Sequence, residues 1–221
     1  DILFCTEPEE ISRIKEKVRR KLKIPNGYRF ALYAPTFRVN PTAEGRRRSG
    51  AQLFEEKDCY RLDYKLVKGA LKKRFGGEWT ILVRHHYCNA ANKFLQSGMM
   101  TESVPATDYD DMQELMVASD VGITDYSSWM LDYLLSGKPG FLFAADVDIY
   151  AAERGFYYPL STTPFPLAVN TEQLCAQIEA FDTQEYKENA EIFLEEKGCV
   201  EDGNASRYTV DRLAAILEGR S

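Results

Sequence analysis

Apolar residues along this chain fall into short continuous runs separated by longer amphipathic stretches. The runs at 28–34, 79–83, 120–124 and 141–144, with a brief one near 102–104, predict strands buried on both faces, because each lacks the polar alternation of a half-solvated strand. The amphipathic stretches predict helices at 8–23, 60–75, 90–97, 110–118, 172–181, 184–196 and 206–219. A further helix opens at Ser127-Ser128 and closes at Gly137-Lys138-Pro139. The first helix carries Glu9 and Glu10 in its first turn and Arg19 to Lys23 in its last, as the helix macrodipole favours. Gly76-Gly77 stops the second helix, and the turn Asp202-Gly203-Asn204 precedes the last one.

Two segments lack such periodicity. Residues 39–57 (VNPTAEGRRRSGAQLFEEK) form a long polar loop, and 145–169 a loop rich in Tyr, Pro and Phe. Strands alternate with helices and no hairpin signal lies between them. That order predicts an α/β fold: one Rossmann-like parallel sheet with helices on both faces, spanning residues 1–221 as a single domain with a helical part at 171–221. At 221 residues and 44% hydrophobic composition the chain can bury a real core. Its apolar runs are far shorter than the ~18 residues that cross a bilayer, and no secretory leader opens it. The five cysteines, at 5, 59, 88, 175 and 199, are scattered and never form a C-x-x-C pair. This usage predicts reduced thiols in a cytoplasmic setting rather than a disulfide frame or a zinc site.

The net charge of −6 conceals a division. Residues 1–100 carry 21 Lys and Arg against 11 Asp and Glu, residues 101–170 carry 2 against 11, and residues 171–221 carry 5 against 12. A basic first part suits an anionic partner, whether a nucleotide, a polyphosphate chain or an anionic membrane surface; solvated Lys-rich helix faces would give the same count. Arg46-Arg47-Arg48 in the polar loop is either a basic lip for such a partner or a plain linker.

In parallel sheets ligands bind beyond the carboxyl ends of the strands. Three polar clusters follow directly on predicted strands: Pro35-Thr36-Phe37-Arg38, Arg84-His85-His86, and Thr124-Asp125-Tyr126-Ser127-Ser128. Arg38 and Arg84 supply guanidinium forks suited to phosphate oxygens. Thr36, Ser127 and Ser128 supply neutral donors, and Thr124 to Ser128 also stand where a helix start can be capped or can hold an anion. Strand alternation points His85 and His86 in opposite directions, so at most one of the two faces a ligand there. Asp132 lies one helical turn after Ser128, placed to accept a bond from a ligand hydroxyl or to orient Ser128.

Other patterns carry less. Asp108-Tyr109-Asp110 and Asp146-Val147-Asp148 spell D-x-D, yet Asp108 to Asp111 fit equally the N-cap and first turn of the 110–118 helix. No metal and no cofactor is expected. The chain has no P-loop, no G-x-G-x-x-G and no G-x-S-x-G, which removes NTPase, dinucleotide and hydrolase-elbow chemistry.

Taken together, YAPTFR (33–38), VRHH (83–86), SDVGITDYSSWMLDYLLSGKP (119–139), ERGFYY (153–158) and DGNAS (202–206) resemble the CDP-glycerol glycerophosphotransferase family, which makes teichoic-acid-type polymers. The resemblance covers nearly the whole chain in the right order. It implies the C-terminal, donor-binding half of a GT-B glycosyltransferase-type fold, whose active site lies in a cleft between two Rossmann-like domains. It further implies that Pro35, Thr36, Arg84, His85, His86, Ser127, Ser128 and Asp132 contact CDP-glycerol, with Arg84 and His86 in catalysis. His86 matches the family's histidine, and His85 stands where the family often has Met.

The implied reaction moves glycerol phosphate from CDP-glycerol to a polyol-phosphate polymer acceptor, releasing CMP at the inner face of the cell membrane. The family's other histidine, a general base, belongs to a W-H-G-T motif in the N-terminal domain and has no counterpart here. The chain by itself is therefore expected to be inactive without an N-terminal domain or partner chain. Ribitol phosphate as the transferred group, a GT-B glycosyltransferase using a nucleotide sugar, and a non-catalytic nucleotide- or polyanion-binding module are the alternatives. No nucleic acid is expected as a partner.

Overall fold

The computed structural model describes residues 2–5, 7–36, 39–41, 47–49, 62–85 and 102–219. Arg38, Arg46, His86, the 90–97 helix and most of the 39–57 segment lie outside the described residues. After a 3-10 turn at Ile2–Phe4 comes α1 (Pro8–Lys21). The chain then runs through β1 (Tyr28–Tyr33), β2 (Val39–Pro41), β3 (Arg47–Ser49), α2 (Tyr64–Phe75) and β4 (Glu78–Val83). β5 (Val104–Pro105), α3 (Met112–Ala118), β6 (Val121–Thr124), α4 (Trp129–Leu134) and β7 (Gly140–Phe143) follow. The chain ends in α5 (Val147–Glu153), β8 (Leu167–Ala168), α6 (Thr171–Ala180), α7 (Thr183–Glu196) and α8 (Ala205–Leu217).

Six strands form one sheet in the order β5-β4-β1-β6-β7-β8, and every pairing is parallel. The apolar runs explain why: Phe30, Ala31, Leu32, Ile81, Leu82, Ile123 and Phe141 are completely buried, so no face of the sheet is left to water. Helices cover it in two sets, α1 packing on α3 and α2 on α6. Asp63, Asp111, Asn170 and Asp182 each accept helix N–H bonds as N-caps, so the starts of α2, α3, α6 and α7 are written locally in the chain.

The chain order of the strands reverses between β1 and β6. From β1 the sheet grows outward through β4 to β5, then returns to β6 and grows the other way. Loops leaving β1 and β6 therefore diverge and open a crevice at their carboxyl ends.

Two stretches depart from the sequence reading. Residues 39–57 are not wholly a loop: β2 and β3 pair antiparallel, with Asn40 opposite Arg48. Three-residue strands without apolar alternation carry no periodic signal, so this hairpin was invisible in the pattern. The aromatic stretch 145–169 contains α5 and β8. β8 is two residues long and preceded by Pro164 and Pro166, and it becomes a strand only by docking on the edge of β7.

Gly122 in β6 fixes how close α4 can come. A Cβ there would stand 2.8 Å from the Tyr133 ring, so the missing side chain is the space that Tyr133 fills. At the other end of α4, the Lys138 ammonium donates to the carbonyls of Val117 (2.7 Å), Ser119 (2.9 Å) and Met116 (3.3 Å). Its three protons thus satisfy the open carbonyl end of α3, a favourable place for a cation. Burial nevertheless pushes the Lys138 amine down to about 8.

Candidate functional site at the β1–β6 crevice

The strand ends at the crevice are tied together by short polar contacts. Beyond β1, the Ala34 N–H still donates to the Ile123 carbonyl at 3.2 Å. The Ala34 carbonyl accepts from the Thr124 hydroxyl (2.7 Å) and the Trp129 indole N–H (3.0 Å). The Asp125 carboxylate, 3% exposed, accepts the Thr36 N–H at 2.8 and 3.1 Å and also the Tyr126 N–H. Thr124 and Asp125 therefore spend their polar groups joining the β1 and β6 loops, and these contacts tie the loop that carries Thr36 to the one that leads into Ser127. Their observed part is to build the cleft wall.

Ser127 and Ser128 begin the turn into α4, and the Met130 and Leu131 N–H groups donate to their carbonyls at 3.3 and 3.0 Å. Helix capping is not the use of their side chains. Ser128 occupies the N-cap position in helical conformation (φ −63°, ψ −18°) and makes no side-chain cap bond, because a cap needs extended backbone to swing its oxygen over the helix end. α4 is also only six residues long, so its dipole is short. What the turn presents is a pair of hydroxyls, Ser128 on the surface and Ser127 partly covered.

Asp132 lies on the surface one turn further on, and partial desolvation together with the charge of Glu201 raises its carboxyl above the usual range. Among the described residues its side chain makes no hydrogen bond to Ser128. The option that it orients Ser128 finds no support.

On the other side of β1, Arg84 follows β4. Its N–H continues the sheet by donating to the Tyr33 carbonyl at 2.9 Å, and its guanidinium donates to the Tyr109 carbonyl. The group is half-buried, and that burial lowers its affinity for a proton. Among the described residues it forms no ion pair. The nearest carboxylates act at longer range and have other tasks: Asp110 pairs with Lys21 at 2.6 Å, and Asp111 caps α3. His85 is next. Its N–H donates to the Thr107 hydroxyl at 3.1 Å, burial holds its imidazole below the ordinary histidine range, and its Nε2 is buried without a partner among the described residues.

A cavity of about 220 Å³ opens beside the two serines, between the loops leaving β6 and β7. Its wall includes Tyr126, Tyr150 and Phe156, with Tyr126 stacked on Tyr150 at 4.0 Å and Tyr150 near-parallel to Phe156 at 5.6 Å. The Tyr126 hydroxyl donates to Asp146 at 2.8 Å. The two D-x-D patterns are thus engaged in local tasks: Asp110 in an ion pair, Asp146 with a tyrosine. Among the described residues no group of three potential ligands gathers to hold a metal ion.

The structure brings Pro35, Thr36, Arg84, His85, Thr124, Asp125, Ser127 and Ser128 to the ends of three neighbouring strands, with Asp132 one turn away; Arg38 and His86 lie outside the described residues. The loop after β5 was undervalued by the sequence reading. Thr107 and Tyr109 supply the partners of His85 and Arg84, and their position directly after the 102–104 run was the available sign.

A six-stranded parallel sheet with polar groups gathered at its reversal point defines an α/β domain of the Rossmann-like class. The family model described as CDP-Glycerol:Poly(glycerophosphate) glycerophosphotransferase matches residues 1–215, and the chain belongs to that family. It is 32% identical over 90% of its length to a teichoic acid poly(glycerol phosphate) polymerase of Staphylococcus epidermidis, of which it covers 26%. To the protein of the same description from Bacillus spizizenii it is 30% identical over 93% of its length, covering 48% of that protein. A teichoic acid ribitol-phosphate primase of Bacillus spizizenii is 29% identical over 84% of the chain. Among solved structures, the wall teichoic acid polymerase TagF superposes with a TM-score of 0.65 at 29% identity, over 94% of this chain and 48% of that one. A form of it soaked with CDPG gives 0.66 at 29% identity, over 95% and 47%. The chain thus spans about half or less of the length of the relatives it matches.

Proposed function

We propose that this chain is the donor-binding half of a glycerophosphotransferase, of GT-B type, that moves glycerol phosphate from CDP-glycerol to a polyol-phosphate acceptor and releases CMP. The observation that carries the reading is Arg84: a half-buried guanidinium at the β4 end with no ion pair among the described residues. A cation so placed is under-compensated, and a bound pyrophosphate supplies the missing charge in the geometry a guanidinium fork prefers. Ser127 and Ser128 offer hydroxyls across the crevice, and Asp132 an acceptor for a ligand hydroxyl.

In the proposed reaction an acceptor hydroxyl attacks the β-phosphorus in line. A new P–O bond forms as the bond to the CMP oxygen breaks, and the hydroxyl proton passes to a base. Charge neutralisation and positioning then account for this half's share of the catalysis. The base belongs to the other half of the enzyme, so the 221-residue chain binds donor without turning it over. We propose in addition that the enzyme works at the inner face of the cell membrane, held peripherally; among the described residues no helix is long and apolar enough to cross a membrane.

Calorimetric titration of CDP-glycerol, CMP and UDP-glucose into the chain tests the reading. Binding of CDP-glycerol and CMP in preference to UDP-glucose is expected. Preference for UDP-glucose would point to a nucleotide-sugar transferase, and no binding of any of the three would remove the donor-site assignment.

A further inference from the structure

β5 is only two residues long, yet β4 beside it has six. The pairing of these strands runs Leu82 with Val104 and Val83 with Pro105, and the Ala106 N–H then donates to the Val83 carbonyl at 2.8 Å. Past that point the strand has ended, and the next outward N–H of the β4 side, that of His85, has lost its strand partner. The Thr107 hydroxyl takes the place of that carbonyl, accepting the His85 N–H at 3.1 Å. Two residues on, the Tyr109 carbonyl accepts from the Arg84 guanidinium. Tyr109 is itself fixed: it is 2% exposed, and its hydroxyl donates to Glu114 at 2.6 Å. One short loop therefore holds the Arg84 guanidinium and the His85 backbone.

His85 Nε2 is buried, with no partner among the described residues. Buried polar atoms in native proteins are nearly all paired, and this orphan lies directly after β4, at the sheet end where ligands of parallel sheets bind. Burial favours the neutral form of this imidazole, which offers a hydrogen bond and leaves charge neutralisation to Arg84.

We propose that Thr107 is a positioning residue of this cleft: by accepting the His85 N–H it fixes the turn that carries Arg84 and His85 and leaves His85 Nε2 to bond a phosphate oxygen or hydroxyl of the nucleotide-linked ligand. The inference rests on the reading of the cleft as a donor site.

The test is calorimetric titration of CMP into the unmodified chain and into Thr107→Val, Thr107→Ser, His85→Gln and the Thr107→Val/His85→Gln double variant. Thr107→Val keeps shape and removes the acceptor; it is expected to weaken CMP binding roughly three- to tenfold. Thr107→Ser restores the hydroxyl and binding to within about twofold, which a mere packing role for the methyl group would not produce. If Thr107 acts through His85, the double variant binds about as His85→Gln alone, because the two losses share one cause. Thr107→Val binding like the unmodified chain, or two losses that multiply in the double variant, would overturn the proposal. Failure of the unmodified chain to bind CMP or CDP-glycerol would instead remove the donor-site reading, and this inference with it.

Discussion

Asp125 offers a direct measure of how much the crevice depends on its clasp. Its buried carboxylate is the acceptor for two backbone N–H groups, Thr36 from the β1 loop and Tyr126 from the β6 loop. Replacing Asp125 by Ala leaves both donors without that partner. Hydrogen bonds to a charged group contribute about 1.5–3 kcal/mol each, and an abandoned buried donor costs about 1–3 kcal/mol. Because the two bonds share one carboxylate they do not add in full, so the expected loss is about 3–4 kcal/mol. For a chain of this size each kcal/mol moves the melting temperature by roughly 2–4 °C, which gives a fall of about 6–16 °C. Asp125→Asn should fall between: one oxygen still accepts, but an amide NH2 would replace either the oxygen at 2.8 Å or the one at 3.1 Å from the Thr36 nitrogen. Thermal melts followed by circular dichroism measure the loss. CMP titration of the folded variant below its melting temperature should show weaker binding, since the loops carrying Thr36 and Ser127 are no longer tied. A melting temperature within about 2 °C of the unmodified chain for Asp125→Ala would refute the clasp.

The Ser127→Ala/Ser128→Ala double variant should lose about 1–3 kcal/mol of CDP-glycerol affinity by calorimetry while melting normally, because neither hydroxyl caps α4; unchanged affinity would remove both from the phosphate site. Lys138 titrates near 8 when folded and near 10.5 when unfolded. Between those values the unfolded chain holds more protons, so stability should rise as pH climbs from about 8 to 10.5 and gain nothing from this group below 8. Urea unfolding of Lys138→Met across that range should lack the rise, and an identical pH profile would contradict the assignment. Gly122→Ala forces a methyl group against the Tyr133 ring and should cost about 1–3 kcal/mol in urea unfolding; a neutral result would mean that α4 can shift.

Local signals made much of this fold legible. The runs at 28–34, 79–83, 120–124 and 141–144 became β1, β4, β6 and β7 within a residue or two, because a strand buried on both faces must be apolar throughout. A helix start was open to reading where the cap lies in the same few residues, as at Asp111, whereas the helix expected from 60 begins only at Tyr64, after its cap Asp63. The strand-end placement of Arg84, His85 and the two serines followed from the same runs.

Partners distant in sequence could not be read this way. That the Asp125 carboxylate would meet the Thr36 N–H, rather than a ligand or its own helix, depends on β6 lying beside β1 after the chain has gone out to β5 and returned. The reach of Lys138 to the end of α3, the conversion of 167–168 into a strand against β7, and the Thr107 hydroxyl standing in for an absent strand carbonyl are set by the same stacking of elements. Hydrophobic periodicity states which face of an element is buried but not which neighbour buries it. The sequence by itself therefore determined the kinds of element and the chemistry at their ends. The packing of the sheet decided which of those polar groups are spent on holding the crevice together and which are not.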